Sequence, residues 1–205
     1  MFTLSITLQL IIATNFLPVT VARDTTQNYI VIHNDGANLN VSLTKRTLKA
    51  RGTSYHYFIS RNGKIYQFMD LKYVANHAGI SQWNGHGECV SGGAAELIAC
   101  RYGGDEYEQP QVYPLTSMDA PYLYNWNAFS IGVCLQGTSF TKYTDKQYES
   151  LKKLVQYINI RYPDSRTKPI LGHEDVAFPH GRKNDPGEHF TLWRIFNDTT
   201  HNARR

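Results

Sequence analysis

The chain has 205 residues, 41% of them hydrophobic, and a formal net charge of +4. That length suits one domain with its own core and leaves no visible second domain. The positive charge is spread along the chain without a basic run, so it gives no electrostatic footprint for nucleic acid.

Residues 1–22 carry no charged side chain and hold an apolar run from Leu8 to Ile12, followed by Pro18 and the small Ala22. Thr, Asn and Pro interrupt the stretch too often for a membrane span, and it reads as a signal peptide, although Lys and Arg are missing from its start. The expected organisation is a leader over 1–22 and a single domain over 23–205, exported to the periplasm or secreted.

Tyr29-Ile30-Val31-Ile32 is a short apolar run that reads as a strand delivering His33 at its end. Thr44 to Arg51 reads as a short helix closed by Gly52. Strands His56 to Ser60 and Lys64 to Phe68 flank Arg61-Asn62-Gly63, where Asn-Gly between β-rich runs signals a hairpin that places Tyr55 at a sheet end. From Gly79 to Asn127 the chain is rich in Gly, Ser, Tyr and Pro without a clean period, and reads as loops over the sheet edge. Phe129 to Leu135 reads as a further strand, with Cys134 facing either cleft or core. Thr144 and Gln147 form a capping box for a helix whose Tyr148, Leu151, Leu154, Val155 and Ile158 recur at helical spacing, ending before Pro163. Pro186 is expected to open a third helix through Phe190 and Trp193. Helices around a mixed β-sheet, an α/β class, follow from this order.

His33, His173 and Asp185 offer two imidazoles and one carboxylate, a set that leaves zinc a fourth position open for water. Such a site suits hydrolysis of an amide or ester. Lys183, two residues before Asp185, is placed by alternation on the same side, where an ammonium meets a developing oxyanion. The alternative for Asp185 is a helix cap before Pro186. His86, His180, His189 and His201 read as surface groups, while His56 and His77 are open between structural and substrate-side roles.

Seven ordered blocks resemble the zinc-dependent N-acetylmuramoyl-L-alanine amidases of the type-2 amidase fold, and within them the AmpD-like group. They are Val31-Ile32-His33-Asn34, Ser54-Tyr55-His56, Arg61 to Gln67, His77-Ala78-Gly79, Ser130-Ile131-Gly132, Gly172-His173-Glu174-Asp175 and Gly181 to Gly187. The resemblance implies a fold shared with peptidoglycan-recognition proteins, zinc bound by His33, His173 and Asp185, and catalytic assistance from Lys183. It also implies that Asn34 and Arg182 hold a peptidoglycan or muropeptide substrate, and His77 joins them as a substrate-side candidate.

AmpD-like enzymes carry a glutamate base where this chain has Cys134, and a thiol is a poor substitute for a carboxylate. Phage-lysozyme-type amidases of the same fold lack that glutamate and carry a catalytic tyrosine in a block resembling Ser54-Tyr55-His56, which assigns the role to Tyr55. The alternatives are Cys134 as a zinc ligand, or a cleft that only binds muropeptides; the retained Asp185 argues against the latter. A serine or cysteine hydrolase has no supporting motif.

An oxidising compartment makes Cys89 and Cys100 plausible disulfide partners, with Cys134 unpaired. Asn40-Val41-Ser42 and Asn197-Asp198-Thr199 are glycosylation sequons. Tyr102, Tyr107, Tyr113, Tyr122, Tyr124 and Trp126 either stack on sugar faces or supply packing. The AmpD-like arginine before Ser-Ile-Gly is replaced by Asn125-Trp126-Asn127, which leaves the preference for anhydro or ordinary muramic acid open.

Overall fold

Strand β2, Tyr29–Asn34, is buried at all six positions, as a central parallel strand covered on both faces must be. The computed structural model describes residues 10–12, 22, 29–79, 81, 88–92, 97–101, 126–161, 170–177 and 181–195. Around β2 the main sheet is built from β1 (Leu10–Ile12), β3 (Tyr57–Ile59), β4 (Ile65–Gln67), β7 (Ser130–Leu135) and β8 (Ile170–Gly172), in the order β1-β4-β3-β7-β2-β8. Only β3 and β4 pair antiparallel, through the Asn62-Gly63 hairpin, so the sheet is mixed. The other pairings are parallel, and the register sets His33 beside Cys134 and Ile32 beside Gly172. The expected α/β class with a mixed sheet is the observed one.

The two faces of the sheet differ in kind. Ile30, Ile32, Tyr57, Ile59, Ile131, Val133 and Leu135 point to helix α3 (Asp145–Arg161), which answers with Leu151, Leu154, Val155 and Ile158, all fully buried. Each such side chain contributes about 1.5–3 kcal/mol, so this stripe outweighs any single polar contact in the fold. The α3 capping box forms as the sequence indicated. Gln147 N donates to Thr144 Oγ1 at 3.1 Å, and Thr144 N donates to Gln147 Oε1 at 3.1 Å.

The opposite face carries Tyr29, Val31 and His33 from β2, and Ser130, Gly132 and Cys134 from β7. Helix α1 (Val41–Arg51) and the short α2 (Trp126–Phe129) cover this side. Helix α1 begins three residues before the expected Thr44, because the Asn40 side chain accepts the Leu43 N–H at 3.0 Å and caps the first turn. Gly52 closes it with φ +63°, as expected.

Two expectations are corrected. The helix from Pro186 through Trp193 is absent, and only a 3-10 turn at Leu192–Ile195 forms. Gly187 adopts φ +96°, outside helical space, because its Cα lies against the Ser139 backbone, where an added Cβ would come within 2.2 Å of the Ser139 carbonyl oxygen. The stretch 79–127 is also not all loop. It holds a hairpin of β5 (Glu88–Gly92) and β6 (Leu97–Arg101), in which Cys89 and Cys100 are direct register partners. Their side chains, and hence the disulfide, lie outside what the structure describes. No helix among the described residues is long and apolar enough to cross a membrane.

The hairpin that carries Tyr55 at its base is docked on the start of α3. Ser150 Oγ donates to Gly63 O at 2.6 Å and Thr144 Oγ1 donates to Arg61 O at 2.7 Å. Gly63 has φ +83°, and a Cβ there would meet Lys146 O at 2.9 Å. Gly63→Ala is expected to destabilise the fold by about 2–3 kcal/mol through strain and this close approach. Urea unfolding with an unchanged slope and a lowered midpoint is the result to look for; an unchanged midpoint would show that the hairpin is not anchored there.

Candidate metal centre

His33 is the last residue but one of β2, and His173 begins the single-turn helix α4 (His173–Val176) directly after the neighbouring strand β8. Two imidazoles 140 positions apart in sequence therefore meet at the carboxyl ends of adjacent parallel strands, with ring centroids 4.4 Å apart. Asp185 is brought to them by its loop. Glu174 N donates to Asp185 O at 2.9 Å, and the next carbonyl, Pro186 O, accepts from Tyr143 Oη at 2.8 Å and Asn34 Nδ2 at 3.4 Å. All three side chains are buried. Among the described residues, His33, His173 and Asp185 form the cluster whose ligand atoms all lie within 4.8 Å of one another.

The proton positions say what the cluster lacks. His173 Nε2 lies 3.0 Å from Ala78 O, an acceptor only, so Nε2 carries the hydrogen. In the neutral ring His173 Nδ1 is then the lone-pair nitrogen, and it lies 3.1 Å from each Asp185 oxygen. His33 Nδ1 is buried without a hydrogen bond and faces Asp185 Oδ2 at 3.3 Å. Three electron-pair donors thus converge on one point. Ligand atoms about 2.05 Å from a tetrahedral zinc ion stand about 3.3 Å apart, so the spacing and the N,N,O donor set fit that ion. Asp185 does not cap a helix.

In the metal-free protein the two imidazoles and the carboxylate also act on one another. Burial, followed by the adjacent charge of His173, holds the His33 imidazole down at about 4, with Asp185 pulling weakly the other way. Burial opposes the charge of Asp185, but hydrogen bonding with His173 and His33, and the charge these rings carry when protonated, hold its carboxyl far below the usual carboxylate range.

The other predicted residues divide into those at the centre and those that support it. The Tyr55 ring lies 5.0 Å from the His33 ring. Burial, then Cys134 and Asp185, push its phenol well above its ordinary value, so it is a hydrogen-bond donor rather than a base. Lys183 is exposed in the Asp185 loop, near enough for its charge to act on His33. Arg182, also exposed, lays Nη2 on Ala78 O at 3.1 Å. Asn34 is buried and turned into the protein. It donates to Ser139 Oγ at 3.2 Å and to Pro186 O, and accepts from Gly36 N at 2.9 Å. His77 is buried behind His33, with Nδ1 2.9 Å from His33 Nε2. His56 accepts from Gly132 N at 3.0 Å and donates Nε2–H to Tyr73 O at 3.1 Å, a structural histidine.

Cys134 is buried on the His33 face of the sheet, beside Tyr55. It packs among Leu48, Phe58 and Phe68, and burial pushes its thiol well up, so it stays protonated and outside the ligand cluster. Trp126 is fully buried against Tyr29 and Phe129, which removes it as a sugar platform. Tyr102, Tyr107, Tyr113, Tyr122 and Tyr124 lie outside the described residues, as do His86, His180, His201 and the Asn197 sequon.

Sequence reasoning missed the scaffold behind the histidines. Asn127 Oδ1 accepts both His77 N at 2.9 Å and Ala78 N at 2.7 Å. Gly132 leaves room for the His77 ring, which an added Cβ would approach to 2.6 Å. The His77-Ala78-Gly79 block was the signal that pointed there; nothing in the sequence marked Asn127.

This geometry defines a class first: an α/β protein whose parallel strands end on an N,N,O cluster fitted to a divalent cation. The family is more specific. The pattern of the N-acetylmuramoyl-L-alanine amidase family, type 2, matches residues 23–188, and the chain belongs to that family. The 1,6-anhydro-N-acetylmuramyl-L-alanine amidase AmpD of Escherichia coli is 32% identical over 143 residues, 70% of this chain and 56% of that protein. The chain spans about half the length of the curated relatives it matches. Among solved structures, the N-acetylmuramoyl-L-alanine amidase LysC of Clostridium intestinale superposes with a TM-score of 0.59 at 19% identity, covering 92% of this chain and 95% of that one. AmpDh3 of Pseudomonas aeruginosa, solved with an anhydromuramic pentapeptide, gives 0.55 at 22% identity over 90% of this chain and 64% of that one. Both likenesses concern the fold.

The histidine environment generates a pH dependence in the metal-free protein. Unfolded His33 takes up its proton near 6.5 and folded His33 only near 4, so the unfolded state binds more protons between those values. Stability should therefore fall as pH drops from 6.5 to 4, by about 3 kcal/mol in all. Asp185 stays ionised in the fold across that window. Urea unfolding at pH 7, 5.5 and 4 should show the decline, and His33→Asn should flatten it; an equal decline in the variant would assign it to other groups.

Proposed function

We propose that the chain is a zinc-dependent hydrolase that cleaves the amide between N-acetylmuramic or anhydromuramic acid and L-alanine in peptidoglycan or its fragments. The observation that carries this reading is the convergence of the His173 and His33 Nδ1 atoms on the buried Asp185 carboxylate at 3.1 and 3.3 Å. The family and the names of the relatives supply the substrate class.

His33, His173 and Asp185 would hold the ion, which when bound would supply Lewis acidity for the scissile carbonyl and for water. Lys183, on the solvent side of the Asp185 loop, places its ammonium against the charge that develops on the carbonyl oxygen. Tyr55 keeps its phenolic proton and orients the attacking water or the leaving amine by donating a hydrogen bond. Asn34 acts by fixing Pro186 and hence Asp185, while Arg182, beside Gly79 at the exposed rim, is placed to meet the substrate's carboxylates. The uncharged stretch over 1–22 supports export, which brings the chain to the cell wall; of the main sheet it holds only the edge strand β1, so its removal would leave the order β4-β3-β7-β2-β8 in place.

Release of peptide from purified sacculi and from anhydromuramoyl peptides, followed by mass spectrometry, tests the proposal. Activity should vanish on chelation and return with zinc. Lys183→Ala should lower turnover by about 10²–10³ while zinc content stays at that of the parent protein. Asp185→Ala should lose the zinc itself. A zinc-loaded protein that binds both substrates and cleaves neither would replace the enzyme with a muropeptide-binding protein, the reading that Cys134 in place of a glutamate would then explain.

A further inference from the structure

We propose that His77 is a positioning residue of the metal centre: its Nδ1 accepts the Nε2–H of His33 and thereby turns the lone pair of His33 Nδ1 towards the ion. This inference rests on the metal-centre reading above. It replaces the substrate contact expected of His77 from the sequence.

The argument follows hydrogen-bond polarity from one end of a chain of contacts to the other. Trp126 O is an acceptor only, and Ser130 Oγ donates its single hydrogen to it in a short contact. With that hydrogen spent, Ser130 Oγ meets His77 Nε2, 3.3 Å away, as an acceptor. His77 therefore carries its proton on Nε2, and its Nδ1 is bare. His33 Nε2 lies 2.9 Å from that bare nitrogen, so His33 is the donor and its own proton sits on Nε2. What remains on His33 is the Nδ1 lone pair, aimed at Asp185.

His173 is set by the same segment. Its Nε2–H is taken by the carbonyl of Ala78, the residue after His77, which leaves its Nδ1 bare as well. Two consecutive residues thus fix both histidine tautomers, one through a ring nitrogen and one through a backbone oxygen. The segment is itself held. Asn127 Oδ1 binds the N–H groups of both residues, the His77 ring rests on Gly132, and Ser81 bridges to Ala177 just after α4. Partners of this kind around metal-binding histidines typically change metal affinity by about 10–100-fold when removed.

Two substitutions separate positioning from mere packing. In His77→Asn the side-chain oxygen stands where Nδ1 stood and still accepts from His33, whereas His77→Phe keeps an aromatic ring without an acceptor. Zinc affinity, measured by competition with a chromophoric chelator, should stay within about 3-fold of the parent in His77→Asn and weaken by about 10–100-fold in His77→Phe. Thermal unfolding of the metal-free forms should not follow that order. Equal affinities in the parent and His77→Phe, or equal losses in both variants, overturn the role. Independently of any variant, ¹⁵N-histidine NMR of the parent protein should place protons on Nε2 of both His33 and His77; a proton on His77 Nδ1 overturns the proposal. A parent protein that takes up no zinc overturns the metal-centre reading itself, whereas zinc uptake indifferent to His77→Phe overturns only the positioning role.

Discussion

Everything at the centre depends on two buried imidazole nitrogens and a carboxylate being held around one point. Burying three such polar groups together is costly, because it removes the water that would otherwise solvate them. The arrangement persists because rigid elements impose it. His33 is locked in a six-residue parallel ladder, His173 follows the last residue of the next strand, and Asp185 is tied down by the bonds to its own and the next carbonyl. The fold supplies in advance the ordering that a flexible loop would lose on binding an ion.

The sheet performs this by dividing labour between its faces. On the α3 side, aliphatic side chains interlock and provide the bulk of the stability. On the other side, the same strands carry imidazoles and small residues, and the polar groups there are satisfied one by one through Asn127, Ser130, Ala78 and Tyr73. A buried polar assembly is stable only when nearly every member has its partner. His33 Nδ1, without a geometrically sound hydrogen bond among the described residues, is the member that a bound ion would satisfy.

The sequence made the strand ending at His33, the Asn62-Gly63 hairpin and the capped helix α3 legible because each rests on local chemistry: alternation, a turn that needs φ > 0, a reciprocal side-chain cap. The three ligands were legible as residue types in the right blocks. The scaffold behind them was not, since Asn127 reaching His77 and Ser130 ordering its tautomer are relations across some fifty residues that leave no periodic trace. Pro186 misled for a related reason. Locally it resembles a helix start, but the packing of Gly187 on Ser139 decides the backbone there, and that contact is non-local. The direction of Cys134 also had to wait for the register, which puts it under α1 with Phe58 and Phe68.

Strand β7 shows where such a protein is free to drift. Ile131, Val133 and Leu135 face an aliphatic core that tolerates exchange among side chains of similar volume at less than about 1.5 kcal/mol each. Ser130, Gly132 and Cys134 alternate with them in the same six residues, yet each is bounded: a hydroxyl whose polarity matters, a vacant Cβ filled by an imidazole, a thiol enclosed by Leu48 and two phenylalanines. Mutational tolerance along this strand therefore has a period of two, permissive and forbidding by turns. A variant library spread evenly over it would recover its functional members almost entirely from the odd-numbered positions.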